Sequence, residues 1–113
     1  MSRTGIQTSN VKSNKIPERD ITRSIRDYLT IRKVFHWKVF QSLGATPGIS
    51  DILGILPCRC ECGRKYGQML AIEVKTATGR LSESQENFLR NAEEAGAVAI
   101  VARGVTDLIE RGL

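Results

Sequence analysis

The run Met69-Leu70-Ala71-Ile72-Glu73-Val74-Lys75 decides how this chain folds. Leu70, Ile72 and Val74 alternate with Ala71, Glu73 and Lys75, so a period of two predicts a strand. One face of that strand is apolar, and the other carries a carboxylate beside an ammonium. Charges on an otherwise apolar segment are costly unless something compensates them. Two readings are open for the pair. It is a surface ion pair on a half-exposed strand, or Glu73 helps to hold a divalent cation while Lys75 orients or activates a water.

Working upstream, Ser50 to Leu56 is a second apolar run, bounded by Gly48 and Pro57 and interrupted only by Asp51. It predicts a buried strand. If the two strands are neighbours, ~4.8 Å apart, Asp51 and Glu73 can share one hard cation, with the main-chain carbonyl of Val74 as a third oxygen. Taken alone, Asp51 reads as a turn residue after Pro47-Gly48. Its occurrence together with Glu73 and Lys75 favours the metal-site reading.

Downstream of Lys75, Ser82 can cap a helix with Phe88, Leu89 and Ala92 on one side and Gly96 at its far end. Ala97 to Ala102 then predicts a buried strand. The intervening helix makes a short right-handed crossover, which sets Val98–Val101 parallel to Met69–Val74. Val105, Leu108 and Ile109 mark a last short helix. At the front, Ile21, Ile25, Tyr28 and Leu29 give an amphipathic helix from Pro17 to Ile31, and Val34 to Phe40 alternates as a half-buried strand. The order α-β-β-β-α-β-α predicts an α/β fold, a mixed sheet flanked by helices.

At 113 residues the chain has room for one domain, expected over 16–113. Residues 1–15, polar and basic, are expected to form a flexible arm. A net charge of +5 and a pI near 9.4 favour a polyanionic partner; nucleic acid fits, as do ribosomal and membrane surfaces. No apolar run is long enough to cross a bilayer, so a cytoplasmic protein is expected. Cys58, Cys60 and Cys62, odd in number and crowded together, are a poor disulfide framework. Zinc needs four ligands, ordinarily paired as Cys-x-x-Cys, and only His36 offers another soft donor. A hairpin tip with three reduced thiols is the preferred reading.

Pro47-Gly48-Ile49-Ser50-Asp51-Ile52, then Ile72-Glu73-Val74-Lys75, then Leu81-Ser82-Glu83-Ser84-Gln85 resemble the signature of VRR-NUC domains, a branch of the PD-(D/E)XK nuclease superfamily. Glu18 in Pro-Glu-Arg-Asp-Ile matches the acidic residue at the start of that family's first helix. Ser50 stands where the family has a proline that shapes the turn. The resemblance implies a restriction-endonuclease-like fold. It also implies that Asp51 and Glu73 ligate a metal, that Glu18 approaches it through water, and that Lys75 and Gln85 complete the catalytic set. Each of the outer two has a plainer role available. Glu18 sits where a helix dipole stabilises negative charge, and Gln85 can close a capping box on Ser82.

The same resemblance implies a Mg²⁺- or Mn²⁺-dependent deoxyribonuclease of the stand-alone type found in phages and prophages. Such an enzyme is expected to cut Holliday junctions or other branched DNA as a homodimer in the cytoplasm of a bacterial or phage-infected cell. Lys12, Lys15, Arg19, Arg23, Lys38 and Arg80 are the expected DNA-backbone contacts. Two alternatives share the sequence: a nonspecific nickase that needs a targeting partner, and a non-catalytic nucleic-acid-binding module in which Asp51, Glu73 and Lys75 are only an ion-pair network.

Overall fold

The computed structural model describes residues 15–42 and 44–113. Most of the expected basic arm, including Lys12, lies outside the described residues. The elements follow the expected order: α1 (Glu18–Ile31), β1 (Phe35–Lys38), β2 (Ile52–Arg59), β3 (Lys65–Val74), α2 (Glu83–Glu94), β4 (Val98–Ala102) and α3 (Val105–Glu110). The strands form one sheet in the order β1-β2-β3-β4, antiparallel from β1 to β3 and parallel between β3 and β4. Leu70 pairs with Val98 and Val74 with Ala102, as the crossover requires.

Alternation along the strands divides the sheet into two unlike faces. On one, Ile52, Leu70, Ile72, Val74, Ile100 and Ala102 pack against Ile21, Ile25 and Leu29 of α1 and Leu108 of α3. Each Ile, Leu or Val side chain so removed from water contributes roughly 1.5–3 kcal/mol, so this face holds the fold together. The other face carries Phe35, Trp37, Leu53, Ile55, Met69, Ala71 and Glu73 in register. Helix α2 covers its β3–β4 side, where Ala71, Glu73, Leu89 and Ala99 are buried, and leaves the β1–β2 side open.

The start of α1 and the outer hairpin differ from expectation, while α1 ends at Ile31 as expected. Pro17 is the N-cap of α1, not its first helical residue, because its extended backbone (ψ 153°) stays outside the helix. The helix ends in a Schellman turn without glycine: Lys33 takes φ 61°, and Val34 N–H donates to Leu29 O at 2.9 Å. The β2–β3 hairpin is longer than its apolar pattern, with Cys58 opposite Tyr66 and Arg59 opposite Lys65. Exposed polar residues carry that outer part on ladder hydrogen bonds, which leave no hydrophobic period to read.

Strand β1 is half-buried, as its alternation predicts, and its open side is the aromatic one. Phe35 is 69% and Trp37 38% exposed, whereas His36 and Lys38 are half-buried. Helix α1 packs behind the His36 side of this edge strand, and none of the described helices reaches the aromatic side.

Candidate active site

Hairpin register creates the centre. Ile52 pairs with Ile72, so one step further Asp51 lies across from Glu73. Asp51 itself precedes β2, in a bend held at both ends: its main-chain carbonyl accepts Val39 N–H at 2.8 Å, and its carboxylate Oδ2 accepts Val74 N–H at 2.8 Å. The carboxylate is thereby tied to the strand that carries Glu73. The loop before it rests on α2, since a Cβ at Gly48 (φ 75°) would stand 2.0 Å from Ser84 O.

Glu73 is 1% exposed. Its Oε2 accepts Gln85 Nε2 at 3.0 Å and lies 3.9 Å from Lys75 Nζ, while Oε1 is sealed from solvent without a donor. Burial, then the facing Asp51 charge and its hydrogen bond to the protonated form, push the Glu73 pKa up to about 8; Lys75 opposes the rise, and Glu18 adds slightly to it. Two carboxyls this close cannot both ionise cheaply without a positive charge between them.

Gln85 closes the capping box open to it in the sequence and also donates to Glu73. Ser82 Oγ accepts Gln85 N–H at 3.1 Å, and Gln85 Oε1 accepts Ser82 N–H at 2.9 Å, closing the capping box of α2. With its carbonyl engaged at the cap, the amide has only its N–H₂ end to offer Glu73. The cap of one helix thus fixes the donor to a buried carboxylate on the sheet.

The other expected residues among those described fall in three places. Glu18 opens α1, exposed but within electrostatic range of Glu73. Arg19, Arg23 and Lys38 line one pocket between α1 and β1. Arg80 is exposed on the loop after β3, and Lys15 Nζ donates to Thr78 Oγ1 of that loop at 3.2 Å. Sequence reasoning missed Arg103, whose guanidinium Nη1 donates to Thr76 O at 2.6 Å and Gly79 O at 2.7 Å, pinning the loop between Lys75 and α2. An arginine after a strand carries no local signal for this work; only the parallel pairing brings it there.

Among the described residues no group of three or more His, Cys, Asp and Glu side chains forms a ready-made metal cage. The candidate set is instead two carboxylates, Asp51 and Glu73, with the Val74 carbonyl. It fits a hard divalent cation: the undonated Glu73 Oε1, a raised proton affinity and the facing Asp51 all lack the same thing, a positive charge. The cysteines are arranged differently. Cys62 Sγ lies 2.9 Å from Cys60 Sγ at the hairpin tip, while Cys58 Sγ turns to Leu56 O.

Beside the centre, on the same sheet face, runs an open groove of about 830 Å³ floored by Leu53, Met69, Ala71, Phe88 and Ala92, with Pro47 at the end nearest Asp51. Its lining is mostly apolar, unsuited to a phosphate. No helix of the described residues is long and apolar enough to cross a membrane. A family model described as the VRR-NUC domain matches residues 8–106, from before α1 into α3. No curated protein and no solved structure compared with the chain matches it.

Proposed function

The chain belongs to the VRR-NUC domain family, a nuclease family, and from that premise we propose that it is a divalent-metal-dependent endonuclease that cuts branched DNA. The observation that carries this reading is the buried Glu73 facing Asp51, with Lys75 and Gln85 on the same carboxylate oxygen. Asp51, Glu73 and the Val74 carbonyl would hold Mg²⁺ or Mn²⁺. Such an ion supplies the positive charge that polarises a scissile phosphodiester and makes a water acidic enough to attack it.

The chain's own residues do the rest. Lys75 aligns the attacking water through its ammonium and balances charge on the phosphate, so that the 3′ oxygen leaves in line. Gln85 holds the Glu73 carboxylate in one orientation, and the Val74 amide does the same for Asp51. Glu18, at the mouth of the site, reaches the centre through water. Arg19, Arg23, Lys38, Arg80 and the preceding Lys12 and Lys15 contact the DNA backbone, which gives affinity for any sequence and leaves selectivity to the shape of the branch.

A homodimer places two such centres on two strands. The uncovered apolar row Phe35, Ile55 and Met69, each more than 40% exposed, supports a protein partner on that sheet face. In the cleavage assay, labelled four-way junction, flap and linear duplex are incubated with Mg²⁺, Mn²⁺ or EDTA. The branched substrates are expected to be cut with either cation and none with EDTA. Glu73→Ala should abolish cleavage while leaving DNA binding in EDTA within about twofold. Cleavage by that variant at the wild-type rate would remove the assignment, and equal cutting of all three substrates would favour the nonspecific nickase.

A further inference from the structure

A second site lies behind the centre, on the α1 side of β1. Helix α1 and strand β1 enclose a pocket of about 330 Å³ lined by Arg19, Arg23, Arg26, His36 and Lys38, with Asp27 its one acidic side chain. Four permanent cations face one carboxylate. Among the described residues the ion pairs within 4.0 Å are Arg19 with Asp20 and Lys75 with Glu73, so Arg23, Arg26 and Lys38 have no carboxylate at that range. The Lys38 ammonium lies 5.1 Å over the Phe40 ring.

Arg26 is the telling member. Its Nε is buried without a hydrogen-bond partner. A sealed guanidinium nitrogen with nothing to donate to is costly unless an acceptor arrives from outside. The pocket also contains Thr22, whose hydroxyl is spent on Glu18 O at 3.0 Å, and His36, whose Nδ1–H donates to Val34 O at 2.9 Å. Those groups shape the walls, and the guanidinium and ammonium groups are left for the ligand.

The pocket starts close to the candidate centre in the fold, since Glu18, the neighbour of Arg19, lies within electrostatic range of Glu73. Arg19 follows Glu18 in the chain, and Lys38 pairs with Ile52, the neighbour of Asp51. From Arg19 to Arg26 the helix rises about 10 Å, the axial length of about 3 nucleotides in one DNA strand. A continuous polyanion leaving the centre along α1 meets a cation at every step of that length.

We propose that this α1–β1 pocket is a phosphodiester-binding subsite that grips the DNA strand flanking the scissile phosphate, with the half-buried Arg26 guanidinium among its donors. The proposal rests on the nuclease reading of the centre and specifies which side of that centre the substrate backbone runs along. Sequence reasoning named Arg19, Arg23 and Lys38 singly as backbone contacts; Arg26 and the pocket that joins them come from the fold.

The test measures binding of a labelled four-way junction by fluorescence anisotropy in EDTA, from 50 to 300 mM KCl. Arg23→Ala combined with Arg26→Met is expected to weaken binding about tenfold and to lower the slope of log Kd against log[KCl] by about 2, one for each lost phosphate contact. Arg26→Lys, which keeps the charge, should retain the slope. Arg90→Ala, on the far side of α2, serves as the basic-residue control. If Arg26→Met does not fold, as judged by a thermal melt, Arg23→Ala with Lys38→Ala carries the same expectation.

An unchanged Kd and slope in a folded double variant would overturn the proposal. So would loss of inorganic phosphate binding, read from the thermal shift in 10 mM phosphate, without loss of DNA affinity; that result would identify a site for a free anion. Glu73→Gln in the same assay separates the two levels. Wild-type binding without cleavage supports the nuclease centre, whereas retained cleavage rejects that centre and leaves the salt-slope result standing.

Discussion

Glu73 is held in a state that suits a cation better than it suits an empty site. Its pKa is raised from the ordinary carboxylate value of 4.5 to about 8, by burial first and by Asp51 second. The folded protein therefore keeps a proton on Glu73 that the unfolded chain releases above pH 4.5. The stability penalty is absent below that pH, grows as pH rises from 4.5 to 8, and is complete above 8. In EDTA we expect the wild type to lose on the order of 3 kcal/mol between pH 5.5 and 8.5 from this group, and Glu73→Gln to lack that component. Mn²⁺ should raise the melting temperature more at pH 8.5 than at 5.5. Superimposable EDTA profiles for the two proteins would contradict the assigned proton. That Glu73 and Lys75 share a strand face was legible in the sequence from alternation alone; that Oε1 would be left without a donor was not, since it depends on where α2 delivers Gln85.

At the scale of elements, the centre is assembled from three local devices: the β2–β3 register, the bend at Asp51 and the capped start of α2. Gly48 joins the last two. A methyl there would run into the Ser84 carbonyl, whereas at Gly44 (φ 91°) a Cβ meets nothing within 4 Å among the described residues. Gly48→Ala is expected to cost roughly 2–4 kcal/mol and to reduce cleavage at temperatures where the protein remains folded, because the Asp51 bend must lift from α2. Gly44→Ala should cost about 1–2 kcal/mol of backbone strain and leave cleavage unaffected. Chemical denaturation and initial-rate assays on the pair decide it, and equal effects would deny the contact its role. The elements themselves were largely readable: period two gave β3, and Ser82 with Gly96 bracketed α2. The end of α1 at Ile31 was legible without its usual marker, and one boundary was hidden for a physical reason. Lys33 ends α1 in a conformation usually marked by glycine, and the outer hairpin from Lys65 to Gln68 buries too little to leave a pattern.

Across the whole molecule, the aromatic side of β1 was the least legible part, because a strand's alternation reveals that it has two sides and not which one a helix will cover. With Phe35, Ile55 and Met69 uncovered, the proposed homodimer makes a direct prediction. Sedimentation equilibrium should give twice the chain mass for the wild type and a folded monomer for Met69→Asp; a monomeric wild type would withdraw the dimer and leave the centre untouched. The two-faced sheet also has a bearing on how such a chain can change. Ile52, Leu70, Ile72 and Val74 answer to the packing of α1 and α3, whereas Leu53, Met69 and Ala71 line the groove and Glu73 the candidate centre. Under the proposed function, survival of the scaffold and choice of target would then be written in alternating letters of the same strands, so that new specificities could be tried one letter at a time on a body that still stands.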